Sequence, residues 1–160
     1  MANRSSVPRK FFSRDEQQRI VAAIHAAEQR TSGEIRFHVE RDVPKGEPSG
    51  GDPYLRAREL FGRMGMHATG ERNGVLVYLA VRARRFAIVG DEELHRRVGD
   101  GFWQDVAALM AARFAADDFA GGIEAGIARI GEKLREHFPH RDDDANELSD
   151  DISFGDQPTD

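Results

Sequence analysis

One segment constrains the fold more than any other: the run Val75-Leu76-Val77-Tyr78-Leu79-Ala80-Val81. A near-continuous apolar stretch of this length, rich in β-branched residues, is the pattern of a central strand buried on both faces. Asn73-Gly74 just before it is turn chemistry. After it, the short turn Arg82 to Arg84 leads into Phe86–Val89, which predicts an antiparallel hairpin of strands 75–81 and 85–90.

The flanking sequence supplies the remaining elements. Ser13 and Glu16 form a capping box, and Ile20, Val21, Ile24 and Ala27 recur at helical spacing, predicting a helix from about Arg14 to Arg30. Thr31-Ser32-Gly33 ends it. Ile35, Phe37 and Val39 then alternate with Arg36, His38 and Glu40, the pattern of a strand buried on one face. After a Pro/Gly-rich loop from Val43 to Gly51, Asp52 caps a helix that opens with Pro53, carries Leu55, Leu60, Phe61 and Met64, and stops at Gly65. Beyond Gly90 the pattern is helical: a short turn from Asp91 to Arg97, a helix over about 102–115, and another over about 119–138 closed by Pro139.

A strand, a crossover helix and a hairpin with helices around them predict a three-layer α/β/α sandwich with a small mixed sheet and a C-terminal helical portion. The right-handed crossover rule makes strands 33–40 and 75–81 parallel, with 85–90 running back. Glu34, the segment Thr69 to Gly74, and Asp91-Glu92-Glu93 are then expected to meet at one end of the sheet.

At 160 residues the chain fits one domain. It has no cysteine, which excludes disulfides, a thiol nucleophile and Cys-ligated metals. Residues 1–10 are basic and polar, are expected to be flexible, and do not read as a signal peptide, and no apolar run approaches the roughly 20 residues of a spanning helix. A cytoplasmic protein without a direct membrane span is the expectation. The net charge of −5 is uneven: from His140 onward there are eight Asp/Glu against one Arg. Residues 140–160 therefore read as an acidic, disordered tail on a body spanning 11–139. A nearly neutral body without a clustered basic face argues against a nucleic-acid module.

The predicted sheet end gathers carboxylates, an amide, Arg72 and glycines, the composition of a hard-cation site or a phosphate-handling cleft. Glu34, Asp91, Glu92 and Asp100 are the candidate ligands and Arg72 the candidate phosphate contact. Each has a plainer role open to it: Asp91 and Asp100 as helix caps, Glu92 as a first-turn acid, Glu34 as an exposed acid at a strand start. The histidines are scattered over different elements without HExxH spacing. In the tail, Asp142, Asp144 and Asn146 imitate a calcium loop, but Glu147 and Ser153 stand where an EF-hand needs Gly and Glu. No P-loop, GxGxxG or GxSxG is present.

Thr31-Ser32-Gly33-Glu34-Ile35, Arg72-Asn73-Gly74-Val75-Leu76-Val77-Tyr78, Phe86-Ala87-Ile88-Val89-Gly90-Asp91, Phe119-Ala120-Gly121-Gly122-Ile123 and the tail segment Asn146 to Ser153 occur in the order and spacing of the TPM-domain family. The chain resembles its short, signal-free bacterial branch, over roughly residues 11–154. That resemblance implies an α/β/α sandwich, divalent-metal binding (calcium or magnesium) in an acid-lined cleft, and for the plant member an acid phosphatase activity. It also implies a membrane-associated partner of the LemA type. Where longer relatives carry Gly-Tyr-Gly-Leu-Glu after the third strand, this chain has Gly90-Asp91-Glu92-Glu93-Leu94. Two functional expectations follow: a divalent-metal-binding domain with weak phosphatase-like hydrolysis, or a non-enzymatic module that docks a membrane-associated partner.

Overall fold

The structure, a computed structural model, describes residues 4–140 and 151–155. In chain order the elements are α1 (Pro8–Phe11), α2 (Arg14–Glu28), β1 (Ile35–Glu40), α3 (Pro53–Arg63), a 3-10 turn (Met66–Ala68), β2 (Val75–Ala80), β3 (Arg85–Gly90), α4 (Glu92–Val98), α5 (Asp100–Ala115), α6 (Phe119–His137) and β4 (Ser153–Gly155). The helix starts follow from local chemistry. Ser13 accepts the Glu16 N–H while the Glu16 carboxylate accepts the Ser13 N–H, closing the capping box that opens α2. Asp52 accepts the N–H groups of Tyr54 and Leu55, and Pro53 sits at the first position of α3, where its missing N–H costs nothing.

The sheet runs in the order β3-β2-β1-β4. β1 and β2 are parallel from Ile35↔Val75 to Glu40↔Ala80, and β2 and β3 are antiparallel from Val75↔Gly90 to Ala80↔Arg85. Every residue of β2 is buried, as its unbroken apolar run predicts. Its alternate side chains serve two cores. Val75, Val77 and Leu79 pack with β1 against α2, α5 and α6, while Leu76, Tyr78 and Ala80 pack with Ala57, Leu60 and Phe61 of α3. The result is the expected α/β/α sandwich, thick on one face and closed by α3 and the 3-10 turn on the other. Each large apolar side chain fully buried in these cores stabilises the fold by about 1.5–3 kcal/mol.

Three expectations change. The alternation in β1 predicts one solvated face, yet His38 and Glu40 are buried: Arg56 of α3 reaches over Glu40 and Ser153 of β4 meets His38 Nδ1 at 2.8 Å, which turns that face into an internal polar layer. Residues 4–10 are not a free arm. Pro8–Phe11 forms α1, and the Arg4 guanidinium meets both carboxylate oxygens of Glu16 at 2.9 Å and lies over the rings of Phe11 and Phe119.

The third change falls in the tail. Ser153–Gly155 adds β4 in parallel beside β1, with Ile152 buried and the Phe154 ring under Arg9. Gly155 belongs there because a Cβ would press on the side chains of Glu40 and His38. Apolar Ile152 and Phe154 thus dock a segment whose composition otherwise reads as disordered. The calcium-loop imitation from Asp142 to Glu147 lies outside the described residues.

Candidate functional site

The site is built at the end of the sheet where β1 and β2 begin and β3 ends. The register places Ile35, Val75 and Gly90 side by side. The Val75 N–H donates to the Glu34 carbonyl at 2.8 Å, and the Asp91 N–H to the Gly74 carbonyl at 2.9 Å. Glu34, Gly74 and Asp91 therefore adjoin, as the topology predicts.

The side chains then separate. A cleft of about 770 Å³ opens here, walled by Tyr54, Arg58 and Phe61 of α3 on one side and by Asp100, Trp103 and Gln104 of α5 on the other. Its floor is the end of β3, and Arg72, Asp91, Glu92 and His95 complete it. Glu34 is buried at the same end of the sheet but does not line the cleft. Of the predicted residues the cleft thus brings together Arg72, Asp91, Glu92 and Asp100, and leaves Glu34 behind its wall.

Asp91 does two things at once. Its Oδ1 accepts the Glu92 N–H at 2.7 Å and so caps α4, while Oδ2 is buried and receives no hydrogen bond. The nearest cation to that oxygen is Arg72, whose Nε lies 3.4 Å away and whose Nη2 meets Glu92 Oε2 at 3.0 Å. Arg72 holds a left-handed backbone, φ 54°, at the end of the turn from Thr69, a conformation costing a non-glycine residue on the order of 1 kcal/mol. The left-handed residue is Arg72, one position before the Asn73-Gly74 pair in which the sequence placed the turn. Asn73 instead is buried and donates to Ser32 Oγ at 3.1 Å, tying β2 to the turn before β1.

Asp100 does not cap α5. The cap position falls to Gly99, and Asp100 is the first helical residue, exposed, with Oδ1 3.2 Å from His95 Nε2. The other ring nitrogen of His95, Nδ1, lies 3.0 Å from Trp103 Nε1. Since an indole N–H only donates, Nδ1 accepts and the ring proton sits on Nε2, facing Asp100. Trp103 lies against Gly90, where any Cβ would overlap its ring.

His95 and Trp103, which no motif in the sequence singles out, therefore form a hydrogen-bonded chain with Asp100 along one cleft wall. No periodic signal reveals it. The contact depends on the angle between α4 and α5, set by Gly99 with φ 78°.

The model of the TPM domain matches residues 6–133 of the chain. The chain belongs to the TPM-domain family. Every residue lining the cleft lies inside the matched span and β4 lies beyond it. This TPM domain is similar to the BA42 protein of the psychrophilic bacterium Bizionia argentinensis, solved by NMR, at 36% identity over 91% of this chain and 97% of that one, with a TM-score of 0.82. The N-terminal domain of the cg2496 protein of Corynebacterium glutamicum shares the fold at 21% identity, covering 77% and 74% of the two chains, with a TM-score of 0.51. A comparison with curated proteins gives no match.

A second charged cluster of this TPM domain occupies the opposite end of β1. Glu40 accepts from Arg56 Nε at 3.0 Å, Arg56 Nη2 at 2.5 Å and the Tyr78 hydroxyl at 2.5 Å, and His38 Nε2 lies 3.9 Å away. Burial alone would push the Glu40 carboxyl up, but its neighbours His38, Arg56 and Tyr78 outweigh burial and hold it at about 2. Burial and the adjacent Glu40 push the Tyr78 hydroxyl well above its usual range. The cluster fastens α3 to the sheet and does not line the cleft.

Proposed function

We propose that this TPM domain binds a divalent cation, calcium or magnesium, in the cleft at the end of β3, together with a phosphate-bearing ligand. The observation that supports the reading is Asp91 Oδ2, a buried carboxylate oxygen without a hydrogen-bond donor beside a half-exposed arginine. Buried carboxylates are normally saturated, so an oxygen left unsaturated at the edge of a cleft is suited to a ligand. Hard cations prefer such oxygens, and Asp91 with Glu92 offers two carboxylates and no soft donor.

The fit is partial. Among the described residues no three carboxylate or imidazole groups converge on one point, so Asp91 and Glu92 would share the cation with water. Arg72 would then exchange its carboxylate partners for a phosphate oxygen, which a guanidinium recognises through paired N–H groups. A cation held there would supply charge neutralisation to the phosphate. Weak phosphatase-like hydrolysis is the finer form of this reading, with Asp100 and His95 placed on the wall to hold and orient a water or a hydroxyl. Glu34, behind the wall, supports the position of Gly74 through the backbone and is not assigned to the cation.

The test is a calcium and magnesium titration followed by backbone amide NMR, on the wild type and on Asp91→Asn. Asparagine keeps the α4 cap and removes the charge. Saturable shifts in residues 69–74 and 90–100, lost in the variant, support the reading. Shifts unchanged in the variant, or none at all, overturn it. Phosphate release that depends on the metal and disappears in Asp91→Asn separates hydrolysis from binding.

The second reading, an accessory module that docks a membrane-associated partner, is favoured by the edge of β3, with which no second strand pairs among the described residues. Retention of the protein on an immobilised partner, with and without residues 140–160, tests it.

A further inference from the structure

The cleft floor is a strand edge. β3 pairs with β2 on one side, and among the described residues no strand pairs with it on the other. The direction of its backbone groups follows from one hydrogen bond. The Asp91 N–H points at Gly74 of β2, and groups alternate along an antiparallel strand, so Val89 and Ala87 also face β2. The N–H and C=O groups of Phe86, Ile88 and Gly90 then point outward.

An edge of this kind is a template for another strand, and proteins ordinarily blunt it with a bulge, a proline, an inward-pointing charge or a covering segment. Among the described residues none of these lies on Phe86–Gly90: the ladder with β2 is regular over all six residue pairs, and the segment Phe86-Ala87-Ile88-Val89-Gly90 carries neither proline nor charge.

The edge is also recessed. Tyr54 and Arg58 of α3 stand on one side of it and Trp103 and Gln104 of α5 on the other. A single extended segment fits between two such walls, whereas a second sheet arriving with its own helices on both faces would meet them first. The charges along the rim choose the kind of segment. The acids of this region each lie beside a basic side chain, Asp91 and Glu92 beside Arg72 and Asp100 beside His95. Arg58 on the α3 wall and the exposed Arg85 at the start of β3 have no carboxylate partner among the described residues; the Arg85 guanidinium donates only to the Gly51 carbonyl, at 3.1 Å. One guanidinium without a carboxylate partner, that of Arg58, therefore stands on the cleft wall, and a second, that of Arg85, at the far end of the same strand, beside the outward backbone of Phe86, Ile88 and Gly90.

We propose that the open edge of β3 is a docking site for an extended acidic segment of a partner protein, which adds as a fifth strand through the backbone of Phe86, Ile88 and Gly90. Its acidic side chains face Arg58 and Arg85. Backbone hydrogen bonds supply the affinity of such strand addition, and the flanking side chains the selectivity. The inference does not depend on the cation reading. Binding here needs Arg58, Arg85 and the β3 backbone, whereas the cation reading needs Asp91.

The probe is a capped seven-residue peptide alternating glutamate and valine, titrated into the full chain and followed by backbone amide NMR and Trp103 emission. A lysine–valine counterpart serves as control. The expected result is saturable shifts at Phe86, Ile88 and Gly90 with the acidic peptide and at least tenfold weaker binding of the basic one. Ile88→Pro removes an outward N–H without touching the ladder to β2 and abolishes binding, while Ile88→Ala, which keeps the N–H, retains it. Arg58→Glu weakens the acidic peptide at least tenfold. Amide spectra of each variant without peptide establish that it is folded. Equal binding of both peptides, shifts away from β3, or binding that survives Ile88→Pro overturns the proposal. So does concentration-dependent self-association lost in Ile88→Pro, which would make the occupant a second copy of this chain.

Discussion

The two ends of the sheet carry the same pairing, arginine against carboxylate, and put it to different uses. At the far end of β1, Glu40 is buried, Arg56 is partly buried, and the carboxylate receives three hydrogen bonds. At the end of β3, Arg72 is half-exposed, Glu92 is in solvent, and Asp91 keeps a buried oxygen without a hydrogen bond. A saturated, desolvated pair can only be broken at a loss, so it locks α3 to the sheet. An unsaturated pair at a cleft has both a spare acceptor and a cation that can change partners at little cost. The difference teaches that the identity of charged residues says less about function than their remaining hydrogen-bonding capacity.

The comparison breaks most visibly at the buried end. Arg56→Met leaves Glu40 charged and unpaired in the interior, and chemical denaturation should show a loss of about 3–5 kcal/mol. Adding Glu40→Gln to that variant should recover much of it, since the uncompensated charge is then gone.

The pH dependence is next in size. The folded carboxyl of Glu40 is held at about 2, below the unfolded value of 4.5. Its contribution is therefore complete above pH 4.5 and is lost as the pH falls from there through about 2. This corresponds to about 3 kcal/mol by linkage. Denaturation midpoints measured across that window should fall steeply in the wild type and more gently in Glu40→Gln. Glu16, held at about 2 chiefly by its hydrogen bonds with Arg4, remains to give that variant its residual slope.

Gly90→Ala tests the wall of the cleft. The new methyl overlaps the Trp103 ring, and displacing it should cost about 1–3 kcal/mol. Because Trp103 is the single tryptophan, its emission should shift as the contact with His95 is disturbed. Unchanged emission would mean that Trp103 is not held as described.

The smallest stability change is expected at the open end: Arg72→Gln should alter the unfolding free energy by less than about 1 kcal/mol, since the guanidinium is half-exposed and Glu92 stands in solvent. A loss as large as that of Arg56→Met would erase the distinction between the two ends.

Much of the frame was legible in the sequence because local rules decide it. The capping box of α2, Pro53 at a helix start, the unbroken run of β2 and the hairpin into β3 all depend on residues within a few positions of one another. The crossover rule then carried Glu34, Gly74 and Asp91 to one end of the sheet, and the register bears this out. The alternation of β1 misled, because pattern reports which residues are polar and not whether a helix will cover them. Ser153–Gly155 was hidden by the acids around it. Two apolar side chains and one glycine outweigh that composition only where a complementary edge exists to receive them.

What the sequence by itself determined is the set of elements, their order, the layers they form, and the end of the sheet at which acids would gather. Tertiary structure alone decided what those acids can do. Whether Asp91 is saturated, whether Asp100 caps a helix or faces His95, and whether Glu34 reaches the cleft depend on angles between elements and on burial. Those quantities come from packing among residues far apart in the chain, so no local pattern carries them.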